Sequence, residues 1–198
     1  YRSAKAKCEY ILSGAEEGDL CMPRYGFCGF RYFEITADGD IFVTEAGAVV
    51  LGSDLREVGR LETSDPEVNR LLSNIRWGQR GNYLSIPTDC PQRDERLGWT
   101  GDTQVFCRAA AYQADVRGFF HKWMQDVRDS QGEDGYIPDV VPVVRIFAKD
   151  TAAAWGDAAV IVPYTIWQMY GDTAILTENM DCMERYMRWI AARPGCTG

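Results

Sequence analysis

From residue 66 onward one pattern recurs in five successive stretches: apolar residues spaced three and four apart. That spacing lines one face of a helix, and its recurrence constrains the fold more than any other feature. The first stretch opens with Ser64-Asp65-Pro66-Glu67, a cap residue followed by proline at the first helical position. Val68, Leu71, Leu72 and Ile75 follow on one face. A second helix is predicted to begin near Asp102 and to run through Val105, Phe106, Ala109, Ala110 and Tyr112. The third carries Phe119, Phe120, Trp123, Met124 and Val127 and ends before Gly132-Glu133-Asp134-Gly135. The fourth is predicted from Ala158 to Tyr170, with Gly171 closing it and Pro163 imposing a kink or a late start. The fifth uses Ile175, Leu176, Met180, Met183, Met187 and Ile190 and stops at Pro194-Gly195.

Residues 1–60 have a different texture. Cys8-Glu9-Tyr10-Ile11-Leu12, Ile41-Phe42-Val43-Thr44 and Ala48-Val49-Val50-Leu51 are rich in strand formers. In Phe30-Arg31-Tyr32-Phe33-Glu34-Ile35 successive residues fall on alternate faces, and Ala37-Asp38-Gly39-Asp40 reads as a turn. The expectation is therefore an α+β chain with two parts. Residues 1–60 supply the C-terminal strands of a β-sandwich, and residues 61–198 the first helices of a helical barrel. A ring short of its remaining helices leaves apolar faces in water, unfavourable by about 25 cal/mol per Å². With no initiating Met, the chain is expected to be an internal piece of a larger protein.

Composition narrows the chemistry. A formal charge of -8 without a Lys/Arg cluster argues against nucleic acid or an anionic membrane as partner. No apolar run long enough to span a bilayer is present, and no signal-peptide core. The seven cysteines contain no C-x-x-C pair and make neither a disulfide framework nor a zinc set. They predict reduced thiols and a cytoplasmic setting, with secretion left open because the true N-terminus is not visible. The one histidine, His121, lies in Phe119-Phe120-His121-Lys122-Trp123 and reads as a structural helix residue. A histidine-dependent triad or a multi-histidine metal site is thereby set aside, and no cofactor or metal is called for. What remains is carboxylate chemistry.

Carboxylates are concentrated in Pro87-Thr88-Asp89-Cys90-Pro91-Gln92-Arg93-Asp94-Glu95-Arg96-Leu97-Gly98-Trp99-Thr100-Gly101-Asp102. Sugar hydrolysis needs a proton donor, acids that bind hydroxyls and a flat apolar platform, all available here. Asp89, Asp94, Glu95 and Asp102 are the candidates. A structural reading stands beside each: Asp102 as a helix-capping residue, and Asp94 or Glu95 as the partner of Arg93 or Arg96 in an ion pair. Neighbouring carboxylates would raise the proton affinity of Glu95, and the two arginines would lower it.

The same stretch resembles, nearly residue for residue, the motif of the bacterial α-L-rhamnosidases, which remove terminal α-L-rhamnose with inversion. The resemblance implies an (α/α)6 barrel preceded by β-sandwich domains. It assigns Glu95 as general acid and Asp89 and Asp102 as hydroxyl-binding acids. It makes Trp99 a tryptophan of the sugar pocket and Arg93 an arginine that binds or orients the carboxylates. Ala154-Trp155-Gly156-Asp157 is similar to the family's next pocket segment, placing Trp155 against the apolar face of the sugar. A core tryptophan at a helix start is the alternative for Trp155. Gly29-Phe30-Arg31-Tyr32 resembles the family's strand motif, with Cys28 where a histidine is usual. Asn74-Ile75-Arg76-Trp77 and Asn82, and later Asp126, Gln131 and Asp134-Gly135-Tyr136-Ile137-Pro138, extend the likeness over most of residues 25–190.

One component is absent. The family's general base is a glutamate later in the barrel, and no residue here aligns with it. The 198 residues alone are therefore expected to hydrolyse rhamnosides poorly or not at all. The expected partners are a rhamnose-containing small molecule or oligosaccharide and the remainder of the parent chain. Competing readings are a non-catalytic carbohydrate-binding relative, a helical-barrel glycosidase for another sugar, and a structural piece without ligand.

Overall fold

The computed structural model describes residues 6–144 and 152–193. Its helices are α1 Pro66–Asn82, α2 Thr100–Gln113, α3 Arg117–Ser130, the four-residue α4 Ala153–Gly156, α5 Ala158–Tyr170 and α6 Thr173–Ala191. Between α1 and α2 the chain turns through an antiparallel ladder of two residues a side, β1 Tyr83–Leu84 with β2 Ile86–Pro87.

The helix starts follow from local chemistry. Asp65 caps α1, its carboxylate accepting from the amides of Glu67 at 2.8 Å and Val68 at 3.5 Å, with Pro66 next. Asp172 does the same for α6 through the amides of Ala174 and Ile175. α5 runs through Pro163 and ends at Gly171, whose φ of 68° is the left-handed conformation that closes a helix. The predicted Pro194-Gly195 stop lies outside the described residues.

α5 is the central helix. It packs on α2, α3, α4 and α6, which explains why its sequence is apolar almost all round. Small residues make the α2 contact close: Cys107, Ala110 and Ala111 on one side, Ala158, Ala159 and Val162 on the other. Around this seam Phe120, Trp123, Ile137, Ile166, Ile175 and Tyr186 are fully buried. Each such side chain contributes roughly 1.5–3 kcal/mol. The five core residues expected on the third helix are all buried in α3.

Three expectations are corrected. The chain is helical rather than α+β: among the described residues of 1–60 no β-sandwich strand forms. These residues run as irregular chain, touching β structure only where Glu57 bridges Ala114. Alternation along a segment specifies two faces but supplies no partner, and an unpaired strand leaves its backbone groups unsatisfied. Ile11, Phe42 and their neighbours accordingly stand exposed.

Second, the apolar stripe of α1 is not a core face, since Val68 and Leu71 are exposed and Gln79 is the buried residue of that helix. Third, α6 buries Ile175, Asn179, Cys182 and Tyr186, while Met180 and Met187 face outward. The polar members occupy core positions because they have partners. Asn179 accepts from Arg128 at 2.5 Å and donates to the Ile175 carbonyl at 2.7 Å, and the Tyr186 hydroxyl donates to Asp157 at 2.8 Å.

Candidate active site

The acid-rich loop of residues 87–102 is held from both sides. Gly98 and Thr100 pair with the 139–141 segment: the Val141 amide donates to the Gly98 carbonyl and the Thr100 amide to the Asp139 carbonyl, each at 2.8 Å. The buried Trp123 indole ties that segment to the core through the Val141 carbonyl. Gly98 is required there, because a Cβ on it would stand 2.0 Å from the Val141 carbonyl oxygen. On the other side the Gly29 amide donates to the Pro91 carbonyl at 2.9 Å. Arg96, in the left-handed region at φ 47°, donates to the Phe27 carbonyl and lies over the Phe27 ring. The loop closes on itself where the Asp89 amide bonds the Leu97 carbonyl and the Leu97 amide bonds the Asp89 carboxylate.

Inside this loop Arg93, and not Arg96, pairs with the acids. Its Nη2 lies 2.7 Å from Glu95 Oε2 and 3.5 Å from Asp89 Oδ2. The Trp99 indole N–H donates to Glu95 Oε1 at 3.0 Å. Asp89 and Glu95 are nearly covered, each carboxylate side chain 11% exposed, while Asp94 faces outward. Burial and the carboxylates of Asp89 and Glu95 hold the Asp102 carboxyl above its ordinary range, against a bond from its own amide. Asp102 sits in the first turn of α2, and the N-cap position is Trp99, which gives no side-chain cap. The capping reading of Asp102 thus reduces to that one bond to its own amide.

A cleft of about 630 Å³ opens beside this cluster. Asp89 and Asp102 line it together with Trp155 of α4, Gln79 and Asn82 of α1, and Phe106 of α2. Glu95, Arg93 and Trp99 lie outside that lining. Trp155 is half-buried and packs flat on Gly101, so it is a wall of the cleft rather than a core residue. The five loop residues singled out in the sequence are brought together, and Trp155, 53 positions beyond Asp102, lines the cleft with Asp89 and Asp102. Gly101 was not singled out; the clue was a glycine inside the first turn of a helix, where only a close approach favours it.

Donor atoms of Asp89, Cys90 and Glu95 lie within 4.8 Å of one another. The Arg93 guanidinium already neutralises both carboxylates, and burial pushes the Cys90 thiol up, away from the thiolate a metal would need. Asp89 and Glu95 form an ion-paired cluster with Arg93, and Cys90 sits beside it as a thiol. No helix among the described residues is long and apolar enough to cross a membrane.

Residues 56–196 match the family model of the bacterial alpha-L-rhamnosidase 6 hairpin glycosidase domain. The chain belongs to the bacterial α-L-rhamnosidase family. Residues 1–51 match that family's concanavalin-like domain. An alpha-L-rhamnosidase of Formosa agariphila is 45% identical over 195 residues, and one of Streptomyces avermitilis 43% over 190. Each alignment takes in 96% of this chain but only 20% and 18% of those rhamnosidases, so the chain spans about a fifth of their length. Among solved structures, the Streptomyces avermitilis α-L-rhamnosidase complexed with L-rhamnose superposes with a TM-score of 0.67 at 44% identity. It covers 70% of this chain and 13% of that one. The Aspergillus terreus enzyme gives 0.68 at 40%, covering 72% and 16%.

Proposed function

We propose that the protein carrying this chain hydrolyses terminal α-L-rhamnose from rhamnosides with inversion, and that these 198 residues supply the acid half of its site. Glu95 gives its proton to the glycosidic oxygen as the bond to the anomeric carbon breaks. Water attacks the opposite face and loses a proton to a base outside this chain, about 6.5–9.5 Å from the acid. Asp89, Arg93 and Asp102 bind sugar hydroxyls, and Trp99 and Trp155 offer aromatic faces. The division of the chain falls near residue 60, with the acid-bearing part beyond it. The exposed thiols Cys8, Cys21 and Cys28 support a reducing, cytoplasmic setting.

The observation that carries the reading is the placement of Asp89 and Glu95, joined by Arg93, and of Asp102 beside a cleft walled by Trp155. Arg93 pairs with Asp89 and Glu95, while Asp102 lines the cleft, where the hydroxyls of a sugar could bond it. The test is release of L-rhamnose from an aryl α-L-rhamnoside by the full-length protein, its Glu95→Gln variant and the isolated 198-residue chain. Activity is expected only in the first. Turnover by Glu95→Gln would place the acid elsewhere, and turnover by the isolated chain would place the base within it.

A further inference from the structure

Resting on that reading, we infer that Trp99 is a positioning residue for Glu95: its indole N–H fixes the carboxyl group and selects Oε1 as the oxygen that carries the transferred proton. Among the described residues, the Trp99 indole and the Arg93 guanidinium meet this carboxyl, and both groups only donate. The indole N–H reaches Oε1 at 3.0 Å, and the Arg93 guanidinium reaches Oε2 at 2.7 Å. Both favour the charged carboxylate, but unequally. The guanidinium bond is charge-assisted and the stronger of the two, so a proton taken up by Glu95 goes to Oε1, opposite the neutral indole. From Oε1 it passes to the leaving oxygen, and the carboxylate left behind recovers the N–H bond as its charge appears. That bond is therefore stronger after transfer than before it, as a group that aids the step must be.

The donor is rigid because its backbone is fixed. Gly98 and Thr100, on either side of Trp99, are tied to Val141 and Asp139, and the Trp99 carbonyl accepts from the Thr103 hydroxyl at 2.8 Å. Among the described residues, the charged or titratable groups facing Glu95 are Arg93, Asp89 and Cys90 on the loop and Asp102 on α2. All remain in a Trp99 variant, so a change in the pH profile isolates the N–H. A tryptophan serving only as an apolar platform would contact sugar and leave that profile where it is.

The experiment uses the full-length protein with an aryl α-L-rhamnoside, measuring kcat and KM across its pH range. Trp99→Phe keeps an aromatic face and removes the N–H. A second variant, with β-(3-benzothienyl)alanine at position 99, keeps the fused ring and removes only the N–H, which guards against a folding defect in the first. The expected result is an alkaline limb of kcat/KM moved up by about one pH unit, with kcat down about tenfold and KM little changed. An unmoved limb with a raised KM in the benzothienyl variant would overturn the inference and leave Trp99 as a platform. Absence of rhamnoside turnover by the unsubstituted protein would overturn the proposed function itself, and the inference with it.

Discussion

Gly101 lies flat against the Trp155 indole, close enough that a Cβ on the glycine would stand 2.9 Å from Nε1 and Cε2 of the ring. A first-turn residue of α2 thus sets the position of a wall that belongs to α4, and does so by lacking a side chain. Gly101→Ala pushes the ring toward the cleft. Helix propensity favours alanine by about 1 kcal/mol, offsetting part of the packing strain. The expected outcome is a melting temperature within a few degrees of the parent and rhamnose binding weakened about tenfold. Tryptophan fluorescence titration and a thermal melt check it together; unchanged binding would mean that Trp155 does not touch the sugar.

Gly98 presents the harsher case, since its missing side chain leaves room for the Val141 carbonyl at 2.0 Å from the Cβ position. Backbone cannot swing aside as an indole can. Gly98→Ala should break the pairing that holds Trp99 and Thr100, costing about 2–3 kcal/mol and removing sugar binding. Urea denaturation measures the first part. A variant as stable as the parent would show that the 139–141 segment does not hold the loop.

What the sequence made legible is what local chemistry decides. Asp65-Pro66 and Gly171 marked helix ends correctly because a cap and a left-handed glycine act within one turn. Asp89, Arg93, Glu95, Trp99 and Asp102 were readable as one group through the resemblance to the rhamnosidase motif, and a span of 14 residues keeps them near one another although Asp94 within it faces outward. Strand partners, by contrast, are not encoded in alternation, and residues 6–60 show it. The start of α2 came two residues earlier than Asp102 because Asp139 supplies the Thr100 amide with its acceptor. Asn179 and Tyr186 took core places predicted for methionines because Arg128 and Asp157 satisfy them. Each miss is a contact from far along the chain.

Asp102 should show a trade of stability for function. Burial, and then the charges of Asp89 and Glu95, raise its folded pKa above the unfolded value. A raised carboxyl pKa means the ionised form is penalised in the fold, so the penalty is present at neutral pH and relieved as pH falls through the folded pKa. Asp102→Asn removes the charge. The expected gain at pH 7 is below about 1 kcal/mol, because this carboxyl is only partly covered and solvent screens it, and the gain vanishes in acid. Rhamnose binding should be lost with it. Stability curves at pH 7 and pH 3 decide the matter, and a variant less stable than the parent at pH 7 would contradict the argument.

His121 joins α3 to α6, its Nε2 2.9 Å from Asp172 and its Nδ1 3.0 Å from Glu178. Burial pulls its pKa down, but the two carboxylates outweigh burial and hold it above the ordinary histidine value. A histidine with a raised folded pKa contributes stability that is complete below its unfolded value, about 6.5, and is lost as pH rises through the folded value. Asp172 shows the complementary shift: its bond from His121 outweighs burial and lowers its pKa, so its contribution fades only toward acid. The clasp between the helices is therefore strongest from mildly acidic pH to about pH 6.5 and loosens on the alkaline side. Thermal melts should show the parent losing stability from pH 6 to pH 8, while His121→Gln, which still offers a donor but no charge, loses little over that range. A parallel decline in both proteins would assign the alkaline loss to other groups.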